Sequence, residues 1–145
     1  MLGLSACSSV PSVASLIPAA GPLVTITTRG GECVDGPCGS VTVIGRDGAV
    51  RTTEPAAAEL GALDPAVLAA LDVAIKTTDF DAIRARPFTG ECPVNFDGQE
   101  AIMEFGAPGG VERIATCESE IDPANPVFAA LIAGLEGVGT GLPLP

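Results

Sequence analysis

Histidine, tyrosine and tryptophan are absent from this 145-residue chain, and Phe, at five residues, is its only aromatic. Without His the commonest general base and proton shuttle is missing, and the Ser/His/Asp and Cys/His nucleophile arrangements cannot be assembled. Without Tyr or Trp a flat aromatic binding platform is not expected, and a core has to be built from Ala, Val, Leu and Ile. Basic residues are scarce too: seven Lys and Arg against eighteen Asp and Glu give a net charge of −11. The seven occur at scattered positions from Arg29 to Arg113, so no basic stripe exists to neutralise a phosphate backbone, and nucleic acid is excluded as a partner. No C-x-x-C spacing occurs, which removes that redox motif. The glycines fall in turns and helix stops, not in a phosphate-binding loop between a strand and a helix.

What is present begins with five cysteines. The first lies in Leu4-Ser5-Ala6-Cys7, followed by a Ser/Pro/Ala stretch to Pro22 of the kind that spaces a domain from a membrane. Leu4-Ser5-Ala6-Cys7 resembles the lipobox of bacterial lipoproteins, where small residues before a cysteine permit cleavage and that cysteine is then lipidated. The resemblance implies export, a lipid on Cys7, and the outer face of the cell membrane as location. Only Met1 to Ala6 precede the cysteine, so residues 1–22 are expected to hold a truncated signal with its lipobox, then the tether. An ordinary secretory signal and an unprocessed N-terminus are the alternatives, since no charge occurs before Arg29. Ser and Pro make Met1 to Ala20 a poor membrane-spanning helix.

Cys33, Cys38, Cys92 and Cys117 remain, an even number in a small domain expected to be exported, and disulfides are the natural reading. Four cysteines allow three connectivities, among which the sequence does not choose. The preferred pairing is Cys33 with Cys38, closing Val34-Asp35-Gly36-Pro37, and Cys92 with Cys117, each bridge contributing about 2–4 kcal/mol. Zinc is not expected, because C-x4-C is not the usual tight knuckle and no His completes a mixed ligand set.

Alternation in Leu23-Val24-Thr25-Ile26-Thr27 and Val41-Thr42-Val43-Ile44, then an Asp47-Gly48 turn into Ala49–Thr53, predicts a three-stranded meander. Asp64-Pro65 reads as an N-cap followed by Pro in the first turn, with Val67, Leu68, Leu71 and Ile75 on one face of a helix over 65–77. A hairpin is expected from Gln99–Phe105 and Val111–Cys117, with Ile102 and Ile114 among its apolar positions. A helix beginning near Asn125-Pro126 would bury Val127, Phe128, Leu131, Ile132 and Leu135 and stop at Gly137 and Gly139. The fold class is thus α+β: an antiparallel sheet of about five strands, both helices on one face, and two disulfides. A single domain over 23–138 would end in a loose tail over 139–145. Gly31-Glu32-Cys33 recurs as Gly90-Glu91-Cys92 and Asp64-Pro65 as Asp122-Pro123, which raises the question of two related cysteine–hairpin–helix units. The paired cysteines, the Asp47-Gly48 turn and the acidic Asp79-Phe80-Asp81 also resemble small domains of bacterial lipoproteins over residues 31–117. That resemblance implies a fold and an envelope location and transfers no functional residues.

Chemistry would have to rest on carboxylates. Asp79, Asp81, Glu91, Asp97, Glu100 and Glu104 are the candidates, but none is set in the polar, aromatic-rich sequence expected of a glycosidase cleft, so a solvated acidic face is expected and no catalytic residue is assigned. Asn95–Glu100 and Glu118–Asp122 cluster oxygen ligands suited to calcium, yet neither matches a twelve-residue calcium loop, and Asp97-Gly98 reads as a turn. No metal or cofactor is therefore assigned. Asp35, Gly36 and Pro37, at the tip of the small cysteine loop, form the one candidate recognition loop. The functional expectation is a non-catalytic binding module anchored through Cys7, with an envelope protein as partner. A secreted inhibitor, a carboxylate-based enzyme and a purely structural lipoprotein are the alternatives.

Overall fold

The structure is a computed structural model and describes residues 21–34 and 36–144. Leu4–Cys7, the segment that resembles a lipobox, lies outside the described residues. Six strands form one antiparallel sheet: β1 (Val24–Cys33), β2 (Gly36–Ile44), β3 (Ala49–Glu54), β4 (Ala58–Ala62), β5 (Gln99–Ala107) and β6 (Gly110–Ala115). Their order is β4-β3-β2-β1-β5-β6, which puts β1 at the centre, paired with β2 on one side and β5 on the other. Helices α1 (Pro65–Thr77) and α3 (Pro126–Gly137) pack on the sheet, and a five-residue α2 (Phe80–Arg84) sits beside β6.

Each helix starts where its capping chemistry dictates. Asp64 Oδ1 accepts from the Ala66 amide at 2.8 Å and Asn125 Oδ1 from the Val127 amide at 3.1 Å, with Pro in the first turn of both helices. Asp79 Oδ1 does the same for α2, accepting from Ala82 at 2.9 Å. The β2–β3 hairpin closes through Gly48, at φ 85°, a backbone conformation that Gly adopts without steric cost.

One face of the sheet contributes Val24, Ile26, Ile44, Val50, Met103, Phe105 and Ile114 to the core, against Leu71 and Ile75 of α1 and Val127, Phe128, Leu131 and Leu135 of α3. Phe105 is fully buried at its centre, with ring centroids 5.3 Å from Phe80 and 6.3 Å from Phe128. Gly134 of α3 lets the segment leading into α1 pack close: a Cβ there would lie 2.9 Å from Leu63 Cδ2 and 3.5 Å from Val67 Cγ1 of α1. Thr25, Thr27, Val41, Val43 and Ile102 occupy the opposite face, half-buried.

The expected class, with two helices on one face of an antiparallel sheet, is the one observed. The sheet has six strands where about five were expected. The additional one, β4, is Ala-Glu-Leu-Gly-Ala, an exposed edge strand with no β-branched residue. It is short, carries Glu59, and pairs with β3 across an irregularity at Val50/Arg51. The other edge, β6, carries Glu112 and Arg113 beside α2, where Arg84 donates to Glu112 at 2.8 Å. The two cysteine–hairpin–helix segments differ in content and in disulfides: only the first inserts a strand, β4, before its helix, and Cys33 bonds at the near end of its hairpin whereas Cys92 bonds at the far end. In the tail, Leu142 is half-buried against the core. Among the described residues no helix is long and apolar enough to cross a membrane.

Phe105→Ala is expected to cost about 3–5 kcal/mol, the range for truncating a buried Phe. Val111→Ala, at an exposed edge position, is expected to stay within about 0.5 kcal/mol. Urea denaturation of the two variants checks the contrast.

Candidate functional site

Both disulfides lie at one end of the sheet. Strand β1 runs from Val24, opposite Ile44 and Phe105, to Cys33, and its far end meets the start of β5 through Arg29↔Glu100 and Gly30↔Gln99. Just before β5 a single 3-10 turn over Pro93–Phe96 begins at Cys92. The Cys33–Cys38 bond closes the β1–β2 hairpin, with Cα atoms 5.3 Å apart; Cys92–Cys117 ties the 3-10 turn to the segment after β6, at 5.2 Å. The preferred pairing is the one present. In the loop-entropy model the 25-residue separation of the second bridge is worth about 3.5 kcal/mol and the 5-residue separation of the first about 2.

The hairpin and the 3-10 turn are in contact, and glycine makes the contact possible. The β1–β2 register breaks between Arg29 and Glu32, where Gly30 and Gly31 take φ of 89° and 86°. A Cβ on Gly30 would fall 2.4 Å from Val94 Cγ1 and 2.7 Å from the Gly98 carbonyl oxygen. Asp97 caps the 3-10 turn in the left-handed region at φ 63°, and Gly98 leads into β5, so this step is the turn that its sequence indicates. What emerges is a double loop, stapled twice, from which Val34 projects fully exposed and Phe96 is 63 % exposed. Of the candidate recognition loop, Asp35 lies outside the described residues, and Gly36 and Pro37 are described only as the first backbone positions of β2.

Beneath this double loop sits Glu100. Its side chain is 1 % exposed, and its Oε2 accepts from Arg29 Nε at 2.5 Å, while the Arg29 side chain is 62 % exposed. Oε1 is buried and accepts no hydrogen bond among the described residues. A carboxylate this deep is costly unless paired, and the cross-strand guanidinium supplies the pairing for one of its two oxygens. One Glu100 carboxylate oxygen and the Sγ atoms of Cys92 and Cys117 all lie within 4.8 Å of one another.

The other carboxylates are dispersed. Asp79 caps α2, Asp81 pairs with Arg84 at 2.5 Å, Glu91 and Asp97 are exposed in the loop, and Glu104 lies exposed on the open sheet face. The residues of the second oxygen cluster are engaged separately: Glu118 with Arg113 at 2.7 Å, Glu120 with Arg86 at 3.5 Å, and Asp122 Oδ1 with the Ala124 amide at 2.9 Å. The Arg113 guanidinium, hydrogen-bonded to Glu118, holds that carboxyl below its ordinary range against a smaller opposing effect of burial, and Glu118 in turn raises Arg113. Searches of family models, curated proteins and solved structures return no match for this chain.

Gly30→Ala is expected to destabilise the domain by more than about 1 kcal/mol, through a positive φ and two clashes. Gly109→Ala, whose Cβ would meet nothing within 4 Å, is expected to be tolerated; thermal melts of both variants check this. For the ion pair beside the double loop, a depressed folded pKa means that stability is present above the unfolded Glu value of about 4.3 and lost as pH falls through the lower folded one. Glu118→Gln is therefore expected to lower stability at neutral pH by less than about 1 kcal/mol, since the pair is solvent-screened. The difference from wild type should shrink to nothing in acid, as followed by denaturation across pH 2–7.

Proposed function

We propose that this protein is an envelope domain, held to a membrane by lipid on Cys7, whose stapled double loop binds another protein. The observation that carries the reading is the polarity of β1. The chain arrives from the tether side at Val24 and reaches Cys33 nine residues later, about 30 Å away at the usual strand rise. A tether ending near residue 22 thus enters the sheet at one end, and the double loop stands at the other. Four large apolar side chains are exposed among the described residues, and two of them, Val34 and Phe96, stand on this loop pair.

Two disulfides and the Gly30–Val94 contact hold the loops in one arrangement, which lowers the ordering cost of association. Glu32, Glu91 and Asp97 add exposed negative charge to the same stretches of chain, so the complementary surface is basic as well as apolar. Association with such a partner would slow as salt rises.

Two measurements test this. The intact mass of protein recovered from its native cells is expected to include acyl groups on Cys7 and four thiols that appear only after reduction. A photo-crosslinking residue placed at position 34 or 96 is expected to trap one discrete protein in the envelope fraction, whereas the same residue at the exposed Val73 of α1 should not. An unmodified Cys7 overturns the anchor, and equal crosslinking from position 73 overturns the loop as the binding surface.

A further inference from the structure

We infer that Cys92, Cys117 and Glu100 form a latent metal site, closed while the disulfide is intact and opened when a dithiol reduces it, and that the ion it takes is a borderline-soft divalent cation such as zinc. Three observations converge. Two sulfurs and a carboxylate oxygen already lie within 4.8 Å of one another, and a tetrahedral zinc site with these donors needs separations of roughly 3.6–3.8 Å. With the two Cα atoms 5.2 Å apart, side-chain rotation alone can bring the thiolates to that spacing. Glu100 is 1 % exposed, yet its Oε1 accepts no hydrogen bond among the described residues, so a carboxylate grouped with the two sulfurs keeps a buried oxygen unused. Arg29 holds the other oxygen and fixes the carboxylate as an outer partner fixes a metal ligand.

The chemistry balances. A dithiol gives two electrons and two protons: its own sulfurs join, the Cys92–Cys117 bond breaks, and two thiols result. The cation then displaces both thiol protons to solvent and takes two thiolates and the Glu100 carboxylate. Three ligand charges against two on the metal leave one negative charge, which the Arg29 guanidinium offsets. Cys92 and Cys117 are both half-buried, so solvent can supply the fourth ligand, as in zinc sites that keep an open position. Thiolate donors favour zinc over calcium or magnesium. By mass action, metal would stabilise the reduced form. This inference is independent of the partner and the anchor.

The test uses the full chain carrying Cys7→Ser, Cys33→Ser and Cys38→Ser, so that the only thiols are those of Cys92 and Cys117. The reduced protein is titrated with Co²⁺ as a spectroscopic reporter and then with Zn²⁺ in competition. One equivalent of Co²⁺ is expected to give a thiolate-to-cobalt charge-transfer band with the intense visible bands of tetrahedral coordination, abolished by Zn²⁺ and absent from the oxidised protein. Arg29→Gln is expected to weaken binding about 10–100-fold, as loss of an outer partner does, and Glu100→Gln at least as much. Glu104→Gln, on the same strand but exposed, should leave it unchanged. Circular dichroism follows the fold throughout. The inference fails if no charge-transfer band forms or if Glu100→Gln binds as tightly as the parent. It fails equally if reduction unfolds the domain and metal does not restore it.

Discussion

Strand β1 is hydrogen-bonded along both of its sides, to β2 over one register and to β5 over another. Every other feature takes its place from that double pairing. Val24 and Ile26 on one face set the core, while the alternate residues Thr25, Thr27 and Arg29 face away from it. Because pairing is kept as far as Arg29 and Gly30, Glu100 is brought directly opposite Arg29, and a carboxylate that faces away from the core acquires its cation across the ladder. Beyond that pair the regular register breaks, and two glycines turn the strand onto the loop that begins β5. The two disulfides then fasten what the ladder has already juxtaposed.

Their contributions differ in kind. The Cys33–Cys38 bond closes a short hairpin tip and removes little entropy from the unfolded chain. Cys92–Cys117 encloses the whole β5–β6 hairpin and links segments distant in sequence. Glu100 lies against the second, not the first. The bridge with the larger effect on folding is thus also the one whose surroundings are chemically unusual. Elsewhere on the surface the ion pairs, such as Lys76–Asp72 and Arg113–Glu118, are exposed and worth little individually.

Much of this architecture was legible from residue patterns. Asp64-Pro65 and Asn125-Pro126 mark helix starts because a side-chain oxygen and a fixed φ are local properties that tertiary context rarely overrides. The β-branched alternation of β1 and β2 marks strands for the same reason, but that alternation stops at Thr27, six residues before Cys33. Gly30-Gly31 breaks the apolar period there, and only pairing on both sides keeps the segment extended. Strand β4 lacks β-branched residues and forms because β3 offers it an edge. Helix α2, at five residues, is too short for a 3.6-residue period, although Asp79 three residues before Ala82 was a capping signal that could have been used. Alternation in Gln99–Phe105 turns Glu100 away from the core with Glu104, which predicts a solvated carboxylate. Its burial comes from the double loop folding over that end of the sheet, a long-range contact that no local pattern encodes. Among the six candidates it is the exception; Glu91, Asp97 and Glu104 are exposed.

The sheet does not close on itself, so two rows of unpaired backbone groups face outward. On β4 that row is brief, interrupted by a register shift at Val50/Arg51, and carries Glu59; on β6 it is flanked by Glu112 and Arg113, with α2 alongside. Charges at both borders, and the irregularity at β4, disfavour the continuous ladder that a neighbouring copy would need. Many copies could therefore crowd together at high concentration without zipping into larger sheets, each keeping its own double loop free.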